Sequence, residues 1–224
     1  GDVRQTWAPY VSSDGGATWQ PAGNDLAYVE PTTVAITQGR TAATLWVGTA
    51  ADGLWRSDNG GRTWRPSLVR GLASQRALSL VQDRDGRLHL LAVDNNESPN
   101  RYLYTSTDGG YNWQQRLVQT YTGSPAQAVV SLLADPFDAD RLYVTTLAGL
   151  LTSADAGLSW RSIELPVTTR QISGGDTVIA ADPAQRGLLY AVTTLDGSSL
   201  AVLRSLDSGA TWENLQASWS TFMV

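Results

Sequence analysis

Cysteine and lysine are absent from the 224 residues, and histidine and methionine occur once each, as His89 and Met223. Without cysteine the chain has no disulfide, no thiol nucleophile and no thiolate metal ligand. Without lysine it has no Schiff-base nucleophile, and all 16 basic residues are arginine. One histidine is too few for a His-rich metal site. These absences exclude several classes of enzyme and imply no cofactor.

Long apolar runs and basic clusters are also missing. No stretch of 18 apolar residues occurs, so the sequence predicts no transmembrane segment. The net charge of −5 argues against nucleic acid as a partner. A content of 42% hydrophobic and 17% charged residues is typical of a globular protein with a sizeable core. The chain begins Gly1-Asp2, from which we expect a removed leader and an exported protein.

What the chain does contain is one pattern, S-x-D-x-G-x-[T/S/N]-W, in five copies. Its tryptophans are 45, 49, 47 and 52 residues apart, a period typical of four-stranded propeller blades. Within each copy we expect the Asp to accept backbone hydrogen bonds, the Gly to take a positive φ and the Trp ring to pack against a sheet. A catalytic residue is needed once but a turn is needed in every repeat, so we interpret the pattern as scaffold. The predicted structural residues are Ser12, Asp14, Gly16, Trp19, Asn59 (in place of Asp), Gly61, Trp64, Asp108, Gly110, Trp113, Asp155, Gly157, Trp160, Asp207, Gly209 and Trp212.

Between the copies lie short runs rich in Val, Leu, Thr and Tyr, separated by Gly, Asp and Pro, with no amphipathic stretch of helix length. The predicted fold class is therefore all-β: a single β-propeller domain, 1–224, of four-stranded antiparallel blades. Four blades are expected at about 31–68, 76–118, 127–165 and 176–216. The first blade is expected to combine 1–27 with the C-terminal strand 217–224, which would close a five-bladed ring.

The five copies resemble the Asp-box, or bacterial neuraminidase repeat, of sialidases, xyloglucanases, the sortilin luminal domain and the photosystem II stability/assembly factor family. The layout from Asp135 to Trp160, with "DP", "LY" and "GLL" ahead of the box, is most similar to assembly-factor and xyloglucanase blades. The resemblance implies a propeller in which the boxes lie away from the ligand-binding face. It also implies larger rings than five blades in some relatives.

Ligands of propellers usually bind on the axial face, which is formed by the loops from a fourth strand to the next blade and from a second to a third strand. Tyr and Arg there would suit an interface, and Arg would suit a carboxylate. We interpret His89 as filling an aromatic position of a strand and Asp138 and Asp140 as turn residues, and we assign no catalytic residue and no metal ligand. The candidate ligand-binding residues are Asp25, Tyr28, Glu30, Arg70, Arg76, Tyr121, Arg170 and Gln171.

Two functions are open from the sequence. The first is a non-catalytic scaffold that binds a protein or glycan partner on the axial face, either as a single domain or as one module of a longer protein. The alternative is a carbohydrate-active enzyme, sialidase-like or another glycoside hydrolase, or a carbohydrate-binding module of one. The Arg-Ile-Pro segment of sialidases is absent, and xyloglucanases cleave between two propellers where this chain has room for one. We therefore expect the scaffold.

Overall fold

The computed structural model describes residues 10–21, 25–26, 29–38, 42–67, 75–94, 100–119, 129–146, 149–167, 177–195 and 199–215. These residues form β-strands joined by turns. The first strands are β1 Tyr10–Val11, β2 Gln20–Pro21, β3 Pro31–Gln38, β4 Ala43–Thr49, β5 Leu54–Ser57, β6 Arg65–Ser67, β7 Gln75–Gln82, β8 Leu88–Asp94 and β9 Arg101–Ser106. They are followed by β10 Gln114–Gln119, β11 Val129–Ala134, β12 Leu142–Thr146, β13 Gly149–Ser153, β14 Arg161–Ile163, β15 Val178–Ala181, β16 Leu189–Leu195, β17 Ser199–Ser205 and β18 Glu213–Asn214.

The strands form one hairpin, β1–β2, and four sheets of four strands each. In every sheet the strands are neighbours in chain order, as β3-β4-β5-β6, β7-β8-β9-β10, β11-β12-β13-β14 and β15-β16-β17-β18. Three of the first strands carry a register shift near their start, for example between Pro31 and Thr33. Antiparallel four-stranded meanders of this kind are the blades of a β-propeller, which confirms the predicted fold class. The number of blades and the closure by 217–224 remain predictions, since that segment lies outside the described residues.

The chain divides into two compact units, Gly1–Gln82 with Gly86–Gln115, and Asp83–Asp85 with Arg116–Val224. In the first unit β3 and β7 lie side by side. Thr32 Oγ1 donates to the carbonyl of Ala77 over 2.5 Å near the start of both strands, and Gln38 N donates to Gln82 Oε1 over 2.7 Å at their ends. The two strands therefore run in the same direction, as the inner strands of adjacent blades do.

Trp46 on β4 is the centre of the core of the first unit. Its ring is 1% exposed, and its Nε1 donates to Thr37 Oγ1 over 2.8 Å. The ring also meets Trp113 edge to face, with centroids 6.3 Å apart. A Cβ added to Gly110 would lie 2.4 Å from the ring. The turn of the third box thus packs directly on the second strand of the preceding sheet.

The second unit repeats this arrangement around Tyr143 on β12. Its side chain is fully buried, and its hydroxyl lies 3.2 Å from Asp135 Oδ2 and 3.1 Å from the carbonyl of Ser208 in the fifth box. Burial raises the pKa of Tyr143 well above its usual value, and the Asp135 carboxylate adds to this effect, so the phenol stays protonated. A Cβ on Gly209 would lie 3.2 Å from Ile163 Cδ1. Again a box turn packs on the sheet before it.

Adjacent glycines of the third box offer a test of this packing. Gly109 and Gly110 have φ of 75° and 84°, so alanine at either position adopts an unfavourable left-handed conformation costing about 1–2 kcal/mol. A Cβ at Gly109 meets nothing within 4 Å, whereas one at Gly110 meets Trp46. We expect Gly110→Ala to lower the free energy of unfolding by about 1–3 kcal/mol more than Gly109→Ala does, through overpacking. Urea denaturation of the two variants measures the difference, and equal losses would contradict the packing described above.

Candidate functional site

Each box closes on itself through hydrogen bonds to its Ser and its Asp or Asn side chain, and in every copy except the fourth, where Trp160 Nε1 has no partner among the described residues, the tryptophan Nε1 also donates to the Gly carbonyl. In the first copy Gly16 N donates to Ser12 Oγ over 2.7 Å, and Thr18 N donates to Asp14 Oδ1 over 2.9 Å. The Thr18 hydroxyl donates to Asp14 Oδ2 over 2.6 Å, and Trp19 Nε1 donates to the carbonyl of Gly16 over 3.1 Å. Every carboxylate oxygen of the turn is thus engaged by a donor of the turn itself, which supports the interpretation of the boxes as scaffold.

The second copy keeps this geometry with Asn59 in place of Asp. Asn59 Oδ1 accepts from Thr63 N over 3.0 Å, as the Asp does elsewhere. Its Nδ2 donates to Thr63 Oγ1 over 2.8 Å, so the direction of the hydroxyl hydrogen bond is reversed. Asn therefore fits the turn without the negative charge.

Two details of the boxes differ from the sequence expectations. Two adjacent central positions of each box have positive φ, where one was expected. The first of them is Ala156 in the fourth copy, with φ of 54°, and Ser208 in the fifth copy, with φ of 56°. The tryptophan rings are also unequally covered. Trp64 is 8% exposed, whereas Trp19, on the two-stranded hairpin β1–β2, is 61% exposed. The expectation of a packed ring is therefore wrong for Trp19.

Three of the predicted ligand-binding residues are described by the structure. Glu30 is exposed immediately before β3, and its carbonyl accepts from Ala50 N over 2.9 Å. Arg76 is exposed at the second position of β7. Because β3 and β7 start side by side, both residues lie at the same end of the two sheets, here named the strand-start edge. The other predicted residues, Tyr28, Arg70, Tyr121, Arg170 and Gln171, lie outside the described residues.

Asp25 contributes to the structure of this edge. Its Oδ2 accepts a 2.8 Å hydrogen bond from the backbone N–H of Trp64. The next residue, Leu26, is 3% exposed and packs with Val29, Val47 and the Trp64 ring. Asp25 therefore holds the segment that leads into β3 against the second box, which positions Glu30.

Two further charged residues at this edge were not singled out from the sequence. Asp52 is exposed in the turn between β4 and β5, where its N donates to Thr49 Oγ1 over 2.8 Å. Arg101, the first residue of β9, is 6% exposed and pairs with Val93, which also pairs with Arg76. The sequence signal for Asp52 is its place in a second-to-third-strand loop. Glu30, Asp52 and Arg76 give the strand-start edge exposed carboxylates and a guanidinium, which can hydrogen bond to the hydroxyl groups of a ligand.

Turns at the other end of the sheets use their carboxylates internally. Asp135 Oδ1 accepts from Phe137 N over 2.8 Å and from Asp138 N over 3.1 Å. Asp138 Oδ1 in turn accepts from Asp140 N over 3.2 Å. Among the described residues, no group of three or more His, Cys, Asp or Glu side chains is placed to hold a metal ion. No helix in the described ranges is both long and apolar enough to cross a membrane.

The sheets and boxes together define the class of the protein, an Asp-box β-propeller. The family model for the BNR/Asp-box repeat matches residues 10–21, the first box with its hairpin. The same turn geometry recurs in the other copies, which confirms the predicted resemblance to BNR/Asp-box repeat propellers.

Three relatives illustrate the similarity. A xyloglucanase of Hypocrea jecorina (strain QM6a) is 26% identical over 97% of this chain and 24% of its own length. The structure of an ancestral GH74 enzyme superposes with a TM-score of 0.73 at 21% identity, covering 95% of this chain and 29% of that one. YCF48 from Cyanidioschyzon merolae superposes with a TM-score of 0.57 at 18% identity over 92% of this chain and 65% of that one. The chain thus spans about a quarter of the xyloglucanase and under a third of the GH74 enzyme.

These findings correct the expected function. The sequence favoured a non-catalytic scaffold for a protein or glycan partner, partly because the chain is small for a xyloglucanase. The match to a xyloglucanase extends over nearly the whole chain, and GH74 enzymes are among the similar structures. The expectation of a non-catalytic scaffold is therefore wrong, and the findings favour its alternative, a glycoside hydrolase. Chain length misled this expectation, because the similarity covers only 24% of the length of the xyloglucanase.

Acid should weaken the boxes that carry Asp. The pKa of Asp155 is lowered to about 2, mainly by hydrogen bonds from the side chain and backbone N–H of Ser159 and from Ser153. Since the unfolded value is 3.8, the stabilisation is complete above about pH 5 and is lost as the pH falls towards about 2. We expect Asp155→Asn to lower the melting temperature at neutral pH, with the difference from the wild type shrinking towards pH 2. Asn59→Asp should raise the melting temperature at neutral pH, and this gain over the wild type should shrink towards pH 2. If neither difference in melting temperature changed with pH, the assignment would be contradicted.

Removing the Asp25 carboxylate should destabilise the fold. In Asp25→Ala the backbone N–H of Trp64 loses its acceptor, which costs about 1–3 kcal/mol when a polar group is left unsatisfied. Asp25→Asn, which keeps an acceptor oxygen, should recover most of the loss. Thermal denaturation of both variants checks this, and an unchanged melting temperature for Asp25→Ala would contradict the structural role.

Proposed function

We propose that this chain is part of a glycoside hydrolase of the xyloglucanase type, in which it binds the polysaccharide at the strand-start edge. The observation that carries the proposal is the 26% identity to a xyloglucanase over 97% of the chain. The proposal includes export, since a polysaccharide of this kind is met outside the cell.

The chemistry of the strand-start edge is suited to a neutral polysaccharide. Glu30 and Asp52 offer carboxylate oxygens that accept hydrogen bonds from sugar hydroxyls, and the Arg76 guanidinium donates to ring and hydroxyl oxygens. All three side chains are exposed at one edge of the sheets. Exposed carboxylates are also the groups from which glycosidases draw their acid and base.

Hydrolysis with inversion requires two carboxyl groups about 6.5–9.5 Å apart on opposite sides of the scissile bond. Since the chain corresponds to 24% of the xyloglucanase, we propose that it forms one wall of a cleft and contributes one of these groups. Glu30 is the residue we assign to that role, because Asp25 is already engaged by Trp64 N. The opposing carboxylate then belongs to another part of the enzyme.

Affinity electrophoresis in gels containing xyloglucan tests the binding step. We expect the chain to be retarded by xyloglucan, and Glu30→Gln and Arg76→Ala each to weaken retardation about tenfold, the effect of losing about 1.4 kcal/mol of binding free energy. Matched controls are Asp85→Asn in the β7–β8 turn and Arg62→Ala in the second box, which remove the same charges away from the edge. Both controls should bind as the wild type does.

Three outcomes would contradict the proposal. The chain could show no retardation by xyloglucan, the edge variants and the controls could bind equally, or sialyllactose could be the preferred ligand in competition. For the catalytic assignment, Glu30→Gln introduced into the complete enzyme should abolish release of reducing ends while Asp85→Asn preserves it. Full activity of the Glu30 variant would rule out Glu30 as the catalytic carboxylate.

A further inference from the structure

A second cleft opens in the first unit, at the opposite end of the sheets from the strand-start edge. It lies where β3 ends and β8 begins, between the second and third box turns, and has a volume of about 660 Å³. Its lining is mixed, with hydroxyl, amide and carboxylate groups and one arginine beside apolar and aromatic groups. Arg56, Asp58, Asp108 and Tyr111 give the cleft its charged and aromatic groups.

Tyr111 is the unusual residue of this cleft. It occupies the variable position between Gly and Asn in the third box, where the other copies carry Ala17, Arg62, Leu158 and Ala210. The ring is 62% exposed although the guanidinium carbon of Arg56 lies 4.8 Å from its centroid. The turn does not require an aromatic side chain at this position, and the box hydrogen bonds do not use it. The cleft therefore presents an aromatic face to solvent.

One face of the Tyr111 ring stacks on the Arg56 guanidinium, which is itself held in place. Arg56 is 7% exposed and lies over both Tyr111 and Trp46, at 5.0 Å from the Trp46 centroid. Its Nη1 donates to the carbonyl of Gly109 over 3.2 Å, and its Nη2 donates to Asp58 Oδ1 over 2.6 Å. Asp58 Oδ2 also accepts from Arg65 Nη2 over 2.7 Å. A platform fixed in this way loses little conformational entropy when a ligand stacks on it.

The charges of the lining select against anions. The only arginine among the lining residues is already engaged by Asp58 and by a carbonyl, whereas the Asp58 and Asp108 carboxylates remain at the surface of the cleft. Burial opposes ionisation of Asp58, but hydrogen bonds from Arg56 and Arg65 hold its pKa below the usual value. Burial likewise opposes ionisation of Asp108, yet its hydrogen bonds from Asn112 and Ser106 hold that pKa low. Both groups are thus ionised acceptors at neutral pH.

We propose that this cleft is a second glycan-binding site, which stacks a neutral hexose unit on Tyr111 and accepts hydrogen bonds from its hydroxyls at Asp58. A hexose presents an apolar C–H face and a rim of hydroxyl donors, which match an exposed ring beside carboxylate oxygens. A ligand carrying its own carboxylate, such as sialic acid, is disfavoured by Asp58 and Asp108. This proposal concerns the box end of the sheets and does not depend on the proposed hydrolase function.

Titration of the isotope-labelled chain with cellotetraose, followed by NMR, tests the site. We expect saturable shifts of the backbone amides of Asp58, Gly109 and Tyr111, and no such shifts with sialyllactose. Tyr111→Ala should raise the dissociation constant about tenfold. Tyr111→Leu, which places the fourth-copy residue in the same turn, should weaken binding similarly while retaining the fold. Leu158→Ala at the equivalent position of the fourth box is the matched control and should bind as the wild type does.

The outcomes separate this site from the strand-start edge. The proposal is supported if Tyr111→Leu loses the saturable shifts of these three amides while Glu30→Gln retains them. Shifts restricted to residues around Glu30 and Arg76, unchanged affinity in both Tyr111 variants, or no saturable binding by the wild type would overturn it. The reducing-end assay judges the proposed function separately, because it depends on Glu30 and not on Tyr111.

Discussion

The structure depends on one contact, the packing of a box turn against the second strand of the sheet before it. In the first unit Gly110 leaves room for the Trp46 ring, and in the second unit Tyr143 reaches the carbonyl of Ser208. A four-stranded sheet has two faces to cover, and a turn that is locked by its own hydrogen bonds offers a rigid surface for one of them. The box therefore links local turn chemistry to the stacking of sheets. This explains why Gly and Asp, or its isostere Asn59, recur together.

Much of the fold could be predicted because its determinants are local. The hydrogen bonds of a box span four residues or fewer. A Ser, an Asp and a Gly at the spacing of Ser12, Asp14 and Gly16 therefore predict the turn in each copy. The strands follow from short β-branched and aromatic runs between turns, as in β12 and β16. The second left-handed position could not be predicted, because Ala156 and Ser208 carry no signal for a positive φ.

The candidate sites depend on long-range contacts, which the sequence does not reveal. Asp25 looks like a free loop carboxylate, but its partner is the backbone of Trp64, 39 residues away. Arg56 looks like an ordinary strand residue, but it lies beneath Tyr111 and donates to Gly109, 53 residues away. Repeat periodicity predicts that such positions come together in neighbouring sheets. It does not tell which of them exchange hydrogen bonds and which remain exposed to a ligand.

Repetition separates scaffold from function only in part, as the third box shows. The positions that recur, such as Asp108 and Gly110, are fixed by the turn and by Trp46. The position occupied by Tyr111 varies from copy to copy because the turn makes no demand on it. A variable position on a rigid turn is a suitable place for a binding residue, since its side chain can change without loss of the fold. The same box can thus be scaffold at its constant residues and a binding surface at its variable position. The function of a repeat protein is therefore best sought at the positions where its repeats differ.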